Sequence, residues 1–356
     1  MTFVYILASV LIFGVLIAVH ELGHFLAAKS CRVRVNEFSI GMGPAVWQRQ
    51  RGETEYSLRI LPIGGYCAME GEEGDSDDPR ALNTQGFWKK FLVFVAGSAM
   101  NFLTGFLIIL ALYSTAGGFL IPAVAGSAPE FAQENGQTLE TGDVFWSING
   151  ERVYLYSDVS LLLNLNSGKP LDLVVLRDGQ KVELTDLVWG TYTATDGKEY
   201  QGYGIYIARD QREKATIANK LKYTWLNSVD FVREVRLSLQ MLLTGQASLN
   251  DVSGPVGIVS TITQVGKQSE SAQAAVENIL YLTALIAVNL AVMNLLPIPA
   301  LDGGHILFLV LDAAAVALFK RKIPSKYETT LSMVFFVALM GFMVIVTFHD
   351  VFKLIQ

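Results

Sequence analysis

The sequence predicts a polytopic α-helical membrane protein with about four transmembrane helices and one small α+β domain outside the bilayer. Three observations support this fold class. Of the 356 residues, 51% are hydrophobic and only 17% are charged, whereas soluble domains carry about 25% charged residues. Four apolar stretches are each long enough for a bilayer-spanning helix, which needs about 20 residues. Between the second and third stretches, the pattern changes to short strands and turns.

Composition also excludes several classes of protein. The net charge is −6 and no long basic tract is present, so the chain lacks the electrostatic signature of a nucleic-acid-binding protein. High hydrophobicity excludes a disordered chain. Cys31 and Cys67 are the only cysteines, and two cysteines do not suggest a disulfide framework.

The four predicted helices occupy residues 1–28, 89–115, 277–310 and 328–350. A cleaved signal peptide is the alternative for the first. However, no Lys or Arg precedes its apolar run and no small-residue cleavage site interrupts it, so we expect a retained helix. The second helix follows Trp88, Lys89 and Lys90, an aromatic and basic anchor typical of the membrane interface.

Two basic loops predict the orientation. The loop after the first helix contains Lys29, Arg32, Arg34, Arg49 and Arg51. The loop between the third and fourth helices contains Lys320, Arg321, Lys322 and Lys326. The positive-inside rule places both loops in the cytoplasm. The N-terminus and the long segment between the second and third helices are then extracytoplasmic.

The extracytoplasmic domain is predicted over residues 120–212. A strand at 144–148 ends in Asn149-Gly150, and a strand at 171–176 meets Asp178-Gly179, both tight-turn signals of β-hairpins. A short helix is predicted at 157–165. Residues 215–276 form a linker in which 217–243 have near-helical apolar spacing. This helix either lies on the membrane surface or packs on the domain.

The strongest chemical signal is His20-Glu21-Leu22-Gly23-His24. On a helix, His20 and His24 share one face at the spacing that two imidazoles need to bind one Zn²⁺. Glu21 lies beside them and can accept a proton from a metal-bound water. Packed histidines are the alternative, but ionisable residues inside an apolar helix generally mark a functional site.

A catalytic zinc usually has three protein ligands and a water, so a third ligand is required. The third apolar stretch is interrupted by two prolines and two glycines, a break tolerated only where protein or a water-filled cavity satisfies the freed backbone. Asp302 lies in this break and is the predicted third ligand. His305 is the competing candidate.

With these motifs, the sequence resembles the site-2 intramembrane metalloproteases, in particular the bacterial group that includes regulator of sigma-E protease. The resemblance is carried by His-Glu-x-x-His in the first helix and by Asn-x-x-Pro-x-Pro-x-Leu-Asp-Gly at 294–303. Further matching blocks lie at 41–44, 59–66, 69–72, 97–101 and 253–257. Residues 142–150 resemble the core of bacterial PDZ domains, and 203–205 resemble their peptide-groove strand. This chain has one PDZ-like unit where the sigma-E protease has two, and Ser98 where many relatives carry Pro.

The resemblance implies that His20, His24 and Asp302 bind one zinc ion per chain and that Glu21 is the general base. Asn294 is implied to hold or polarise the scissile peptide bond. A helix-capping or packing amide is the alternative for this asparagine.

Residues 29–88 are predicted to contain a β-hairpin, because 55–61 alternate with period two and 38–40 offer a partner strand. The resemblance implies that this hairpin enters the membrane from the cytoplasmic side. An exposed edge could accept an extended substrate strand, and the assigned substrate-binding residues are Arg59, Leu61, Gly64 and Gly65. A solvent-exposed hairpin beside the membrane is the alternative.

The expected function is therefore intramembrane zinc proteolysis in the bacterial inner membrane. The expected partners are the lipid bilayer and single-pass membrane proteins, such as anti-sigma factors already trimmed by another protease or remnant signal peptides. Two other functions remain as alternatives. One is a catalytically silent scaffold that presents the PDZ-like groove, and the other is a membrane zincin that acts on prenylated or misfolded proteins.

Overall fold

The computed structural model describes residues 2–72, 74, 76–193, 197–248, 252–321 and 323–355. These form two compact units, one of Met1–Ile109 with Phe231–Gln356 and the other of Leu110–Asp230. The longer helices are α1 (Thr2–Ser30), α2 (Phe87–Ser114), α5 (Ile217–Leu243), α6 (Pro255–Gln268), α7 (Ala272–Asn294), α8 (Asp302–Phe319) and α9 (Ser325–Ile355). Lys322, one of the predicted loop cations, lies outside the described residues.

Five of the described helices are long and apolar enough to cross a membrane, compared with about four predicted. They are α1, α2, α7, α8 and the 326–353 part of α9. The segment 277–310, predicted as one transmembrane helix with a break at its prolines and glycines, is divided into two helices: α7 ends at Asn294 and α8 begins at Asp302. Pro297 and Pro299 lie between the two helices, where their missing N–H groups and fixed φ prevent a continuous helix.

Two glycines allow the broken segment to fold back on the start of α8. A Cβ atom at Gly303 would lie 2.2 Å from the carbonyl oxygen of Leu296, and one at Gly304 would lie 2.5 Å from that of Ile298. Any larger residue would therefore clash with the main chain. This close approach determines where the first turn of α8, and with it Asp302, is placed.

The predicted hairpin is present and consists of two long antiparallel strands, β1 (Val35–Arg51) and β2 (Thr54–Met69). Residues 37–40 pair with 65–68 on one side and with 55–58 on the other, while 47–51 pair with 54–58. Gly41, Gly43 and Gly64 have φ of +86 to +88°, which glycine adopts without steric cost. Among the described residues, no further strand pairs with 65–69, so this segment is an edge.

The second unit contains the predicted α+β elements. Its largest sheet has the order β6 (Glu151–Arg152), β5 (Val144–Ile148), β7 (Leu171–Arg177) and β8 (Gln180–Leu187). In the sequence, α4 (Tyr156–Leu165) lies between β6 and β7. Both predicted hairpins are confirmed. Asn149, Gly150, Asp178 and Gly179 all have positive φ, as a type I′ turn requires.

Smaller elements complete this unit. They are β3 (Gly118–Leu120), β4 (Val124–Ser127), α3 (Phe131–Asn135), β9 (Gly190–Thr193), β10 (Glu199–Gly202), β11 (Ile205–Ile207) and β12 (Arg212–Lys214). The pairs are β11 with β4, β12 with β3, and β10 with β9. Of the segment 203–205 predicted as a groove strand, only Ile205 lies in β11, where it pairs with Ser127 of β4.

The predicted helix at 217–243 is confirmed as α5, and one face of its first half packs on the domain. Tyr223 is buried and stacks on Phe119, with ring centroids 4.3 Å apart. Leu221 and Trp225 are about half exposed. The helix therefore combines a face that packs on the second unit with an apolar face that leaves large side chains uncovered.

An ion pair with a buried carboxylate links β7 to the residue that precedes β5. Arg177 donates to both carboxylate oxygens of Asp143, at 2.9 and 2.7 Å, and the backbone N–H of Glu140 donates to the same carboxylate. Burial alone would raise the pKa of Asp143, but these hydrogen bonds outweigh it and hold the pKa below its usual value. The pair therefore stabilises the domain most above about pH 4, and this contribution is lost as pH falls further.

Replacing Arg177 with Met is expected to destabilise this domain by about 3 kcal/mol, because the Asp143 carboxylate would stay buried without its partner. Faster hydrogen exchange in β5 and β7 of the detergent-solubilised chain would measure the effect. Lys169→Met, which removes an exposed charge from the same domain, is the matched control. Equal exchange rates in the two variants would contradict the prediction.

Candidate metal centre

The predicted histidine pair lies on one face of α1, inside the first unit. The Nε2 atoms of His20 and His24 are 3.1 Å apart, and both residues are buried. The Asp302 Oδ2 atom, at the start of α8, is 3.2 Å from Nε2 of His20 and 3.4 Å from that of His24. Within the described residues, these three side chains form the group that could hold a metal ion.

The geometry and chemistry of this group fit zinc. Two imidazoles and one carboxylate are a usual donor set of a catalytic zinc, and tetrahedral bonds of about 2.0–2.1 Å place ligand atoms about 3.3 Å apart. The three measured separations, 3.1 to 3.4 Å, agree with this value. Asp302 Oδ2 is buried and accepts no hydrogen bond from the described residues, so an ion would satisfy it.

Helix α2 closes one side of the cluster through a glycine. A Cβ atom at Gly97 would lie 2.4 Å from Nε2 of His24 and 2.8 Å from Nε2 of His20. On α1, a Cβ atom at Gly23 would lie 2.4 Å from the carbonyl oxygen of Ala96. Small residues at both positions let the two helices approach closely, as is common in membrane helix pairs.

Each imidazole has a polar neighbour at its other ring nitrogen. Nδ1 of His24 is 2.8 Å from the carbonyl oxygen of Val93. Donation by an Nδ1–H to this oxygen leaves Nε2 without a proton and able to bind a metal. Nδ1 of His20 lies 3.4 Å from the side-chain nitrogen of Asn101 and 3.5 Å from that of Asn294.

Glu21 and the cluster line one cavity of about 660 Å³. The cavity is bounded on another side by 66–69, the edge segment of β2. A Cβ atom at Gly65 would lie 3.5 Å from Cγ of Glu21, so the edge segment passes directly beside this carboxylate. The remaining lining residues are Asn36, Glu70, Gly71, Glu72, Gly74 and Ser76.

His305, the alternative third ligand, has other partners. Its Nδ1 is 2.9 Å from the Glu328 carboxylate on α9, and its ring stacks on Phe94 with centroids 5.1 Å apart. It does not belong to the group of possible ligands found among the described residues.

The four hairpin residues assigned to substrate binding lie in different surroundings. The Arg59 guanidinium bonds to other residues of the hairpin, including Glu37 at 2.7 Å and Tyr66 at 2.6 Å. Leu61 is about half exposed, and Gly64 occupies a bend of positive φ. Gly65 is the member of this set that lies against Glu21.

Sequence reasoning did not assign Val93, Gly97 and Asn101 to the site. They are spaced by four residues along α2 and thus share a face of that helix. The sequence did offer a signal: a glycine and an asparagine four residues apart within an apolar helix, both in the matching block at 97–101.

A buried cluster of two histidines and an aspartate, with a glutamate beside it on a helix of membrane-spanning length, defines a metal-dependent hydrolase of the membrane-embedded class. Comparison with known proteins gives the family. Peptidase family M50 matches residues 8–342, and the chain belongs to this family of site-2-type zinc metalloproteases. The protein is thus a multi-pass membrane protein and a peptide hydrolase with zinc as its cofactor.

The similarity to known relatives covers nearly the whole chain. A candidate zinc metalloprotease of Clostridium perfringens is 38% identical over 349 residues, which cover 98% of both chains. Another of Clostridium acetobutylicum is 36% identical, over 99% of this chain and 98% of that protein. The regulator of sigma-W protease RasP of Bacillus subtilis is 27% identical, over 98% of each chain.

Proposed function

We propose that the protein cleaves peptide bonds within transmembrane segments of single-pass membrane proteins, with zinc held by His20, His24 and Asp302. The observation that carries this proposal is the convergence of three ligand atoms at 3.1–3.4 Å, beside Glu21, on helices of membrane-spanning length. A scaffold without catalysis would have no need of a complete donor set.

Glu21 moves the proton in this proposal. When bound, zinc lowers the pKa of a water from 15.7 to about 7 and so supplies a nucleophile at neutral pH. The Glu21 carboxylate accepts the proton that is released and returns it to the leaving amine. Asn294, at the end of α7 and beside the cavity-lining His20, donates a hydrogen bond to the scissile peptide.

The edge segment 65–69 presents the substrate. A helical substrate hides its peptide groups in internal hydrogen bonds, whereas a strand added to a sheet edge is extended and accessible. This segment lines the metal cavity and passes Glu21 at Gly65, so a strand paired with it would run past the nucleophile. Leu61 and Gly64 extend this edge, while Arg59 braces the hairpin that carries it.

We place the protein in the bacterial inner membrane, with the metal centre toward the cytoplasm and the α+β domain outside, as the basic loop after α1 indicates. The basic loop after α8 lies on the same side if α7 and α8 together make a single broken passage through the bilayer, and we propose that they do. We also propose that this α+β domain is a PDZ-like domain. Substrates are anti-sigma factors trimmed by another protease, or remnant signal peptides. The name of the RasP relative, a regulator of sigma-W protease, agrees with the first of these.

Co-expression with a panel of single-pass membrane proteins tests the proposal. Each substrate is supplied with its ectodomain intact or trimmed, and cleavage is followed by immunoblotting. We expect cleavage within the membrane segment of at least some trimmed substrates by the wild type and none by Glu21→Gln. Equal processing by both proteins would refute the proposed activity.

Deleting about 124–210 is expected to permit cleavage of substrates with intact ectodomains while trimmed substrates remain cleavable. The physical reason is steric, because a folded ectodomain would collide with the extracytoplasmic domain before its helix reached the metal centre. Such exclusion needs little affinity for the correct substrate.

Cleavage rates of the two substrate forms measure this effect, and zinc content and membrane insertion of the deletion variant serve as controls. If an inserted, zinc-loaded deletion variant no longer cut trimmed substrates, the domain would recruit substrates and not exclude them.

A further inference from the structure

Only one of the two asparagines beside His20 is needed to accept a hydrogen bond from its Nδ1 atom. If His20 binds zinc through Nε2, as proposed above, the single proton of its neutral imidazole must lie on Nδ1. That N–H lies in a buried residue, since His20 as a whole is 8% exposed, and a buried donor without an acceptor costs free energy. It therefore needs one acceptor, and the amides of Asn101 and Asn294 are the neighbours present at 3.4 and 3.5 Å.

Burial distinguishes the two amides. Asn101 is 1% exposed, and its Oδ1 atom has no hydrogen-bond partner among the described residues. Asn294 is only partly buried and ends α7 at the broken segment. A half-turn of the Asn101 side-chain amide exchanges its oxygen and nitrogen. Oδ1 then faces the His20 Nδ1–H and can accept its hydrogen bond.

The position of Asn101 on α2 supports this assignment. Val93, Gly97 and Asn101 follow one another at intervals of four residues and so lie on one face. The Val93 carbonyl is at Nδ1 of His24, Gly97 lies against both Nε2 atoms, and the Asn101 amide is at Nδ1 of His20. One face of α2 therefore lies against both ring nitrogens of each imidazole.

We propose that Asn101 is a positioning residue that accepts the Nδ1–H of His20 and orients the ring for zinc. Asn294 is thereby left free to bind the scissile peptide. This inference rests on the proposed role of His20 as a ligand.

Zinc affinity of the full-length purified protein, measured by competition with a chromogenic chelator, tests the assignment. Asn101→Leu removes the acceptor at similar size, and we expect zinc affinity to fall by about 10–100-fold, as for other residues that orient metal ligands. Asn101→Asp retains an acceptor oxygen and should bind zinc within a few-fold of the wild type. Asn294→Leu, the matched control, should keep zinc affinity and lose cleavage.

Several results would overturn the inference. Wild-type affinity in Asn101→Leu would do so, as would a loss confined to Asn294→Leu. Equal losses in Asn101→Leu and Asn101→Asp would show that packing matters and the acceptor does not. Retention of zinc by His20→Ala would instead refute the ligand assignment in the proposed function. Loss of zinc by His20→Ala with unchanged affinity in Asn101→Leu would refute this inference alone. Circular dichroism of the zinc-free proteins identifies a variant that fails to fold.

Discussion

Replacing Glu21 with Gln is expected to abolish proteolysis while zinc remains bound. The substitution preserves size but removes the group that accepts a proton, and general-base catalysis typically contributes about 10²–10⁴-fold to the rate. Glu21 lines the cavity but is not a member of the ligand group found in the described part of the chain, so zinc content should stay at about one per chain. Cleavage of a trimmed substrate in detergent and zinc analysis of the same preparation measure both properties.

Glu55→Gln provides the matched control for this experiment. Glu55 is a glutamate of β2 that lies outside the cavity lining, and its replacement should leave the cleavage rate within a few-fold of the wild type. If Glu21→Gln retained most of the wild-type rate with zinc bound, another group would have to serve as the base.

Replacing Asp302 with Ala is expected to remove most of the bound zinc. Its Oδ2 atom lies 3.2 and 3.4 Å from the two imidazole nitrogens, so the substitution deletes one of the three proposed protein ligands. The loss of affinity should exceed the roughly 10–100-fold effect of residues that only orient ligands. Activity should be lost with the metal.

His305→Ala is the matched control, because His305 follows one turn later on α8 and pairs with Glu328. It should retain zinc. The ligand assignment would be wrong if Asp302→Ala kept its zinc and His305→Ala lost it. His20→Ala gives a second check, since it should lose zinc as Asp302→Ala does.

The features that the sequence predicted correctly depend on local periodicity. A separation of four residues is slightly more than one helical turn, so His20 and His24 had to share a face once the apolar stretch formed a helix. Asn149-Gly150 and Asp178-Gly179 tolerate the positive φ of both central turn residues, so both hairpins could be located from dipeptides. Family motifs then indicated Asp302, far away in sequence.

The errors and omissions arose where packing between distant segments decides the structure. The sequence predicted the break within 277–310 from its prolines and glycines, but not that α7 and α8 would each be long and apolar enough to cross a membrane. The central position of 37–40, between two parts of β2, depends on strand pairings that no local pattern encodes.

By itself, the sequence determined the membrane class, the histidine pair with the glutamate beside it, and the two turn-forming dipeptides, because each depends on a short run of residues. Only the tertiary structure decided which face of α2 meets the imidazoles, and it brought Val93, Gly97 and Asn101 to the metal centre. It also placed His305 against Glu328 and away from the ligand group. These contacts join helices that are distant in the chain, so they follow from close packing between elements and not from the period of any one of them.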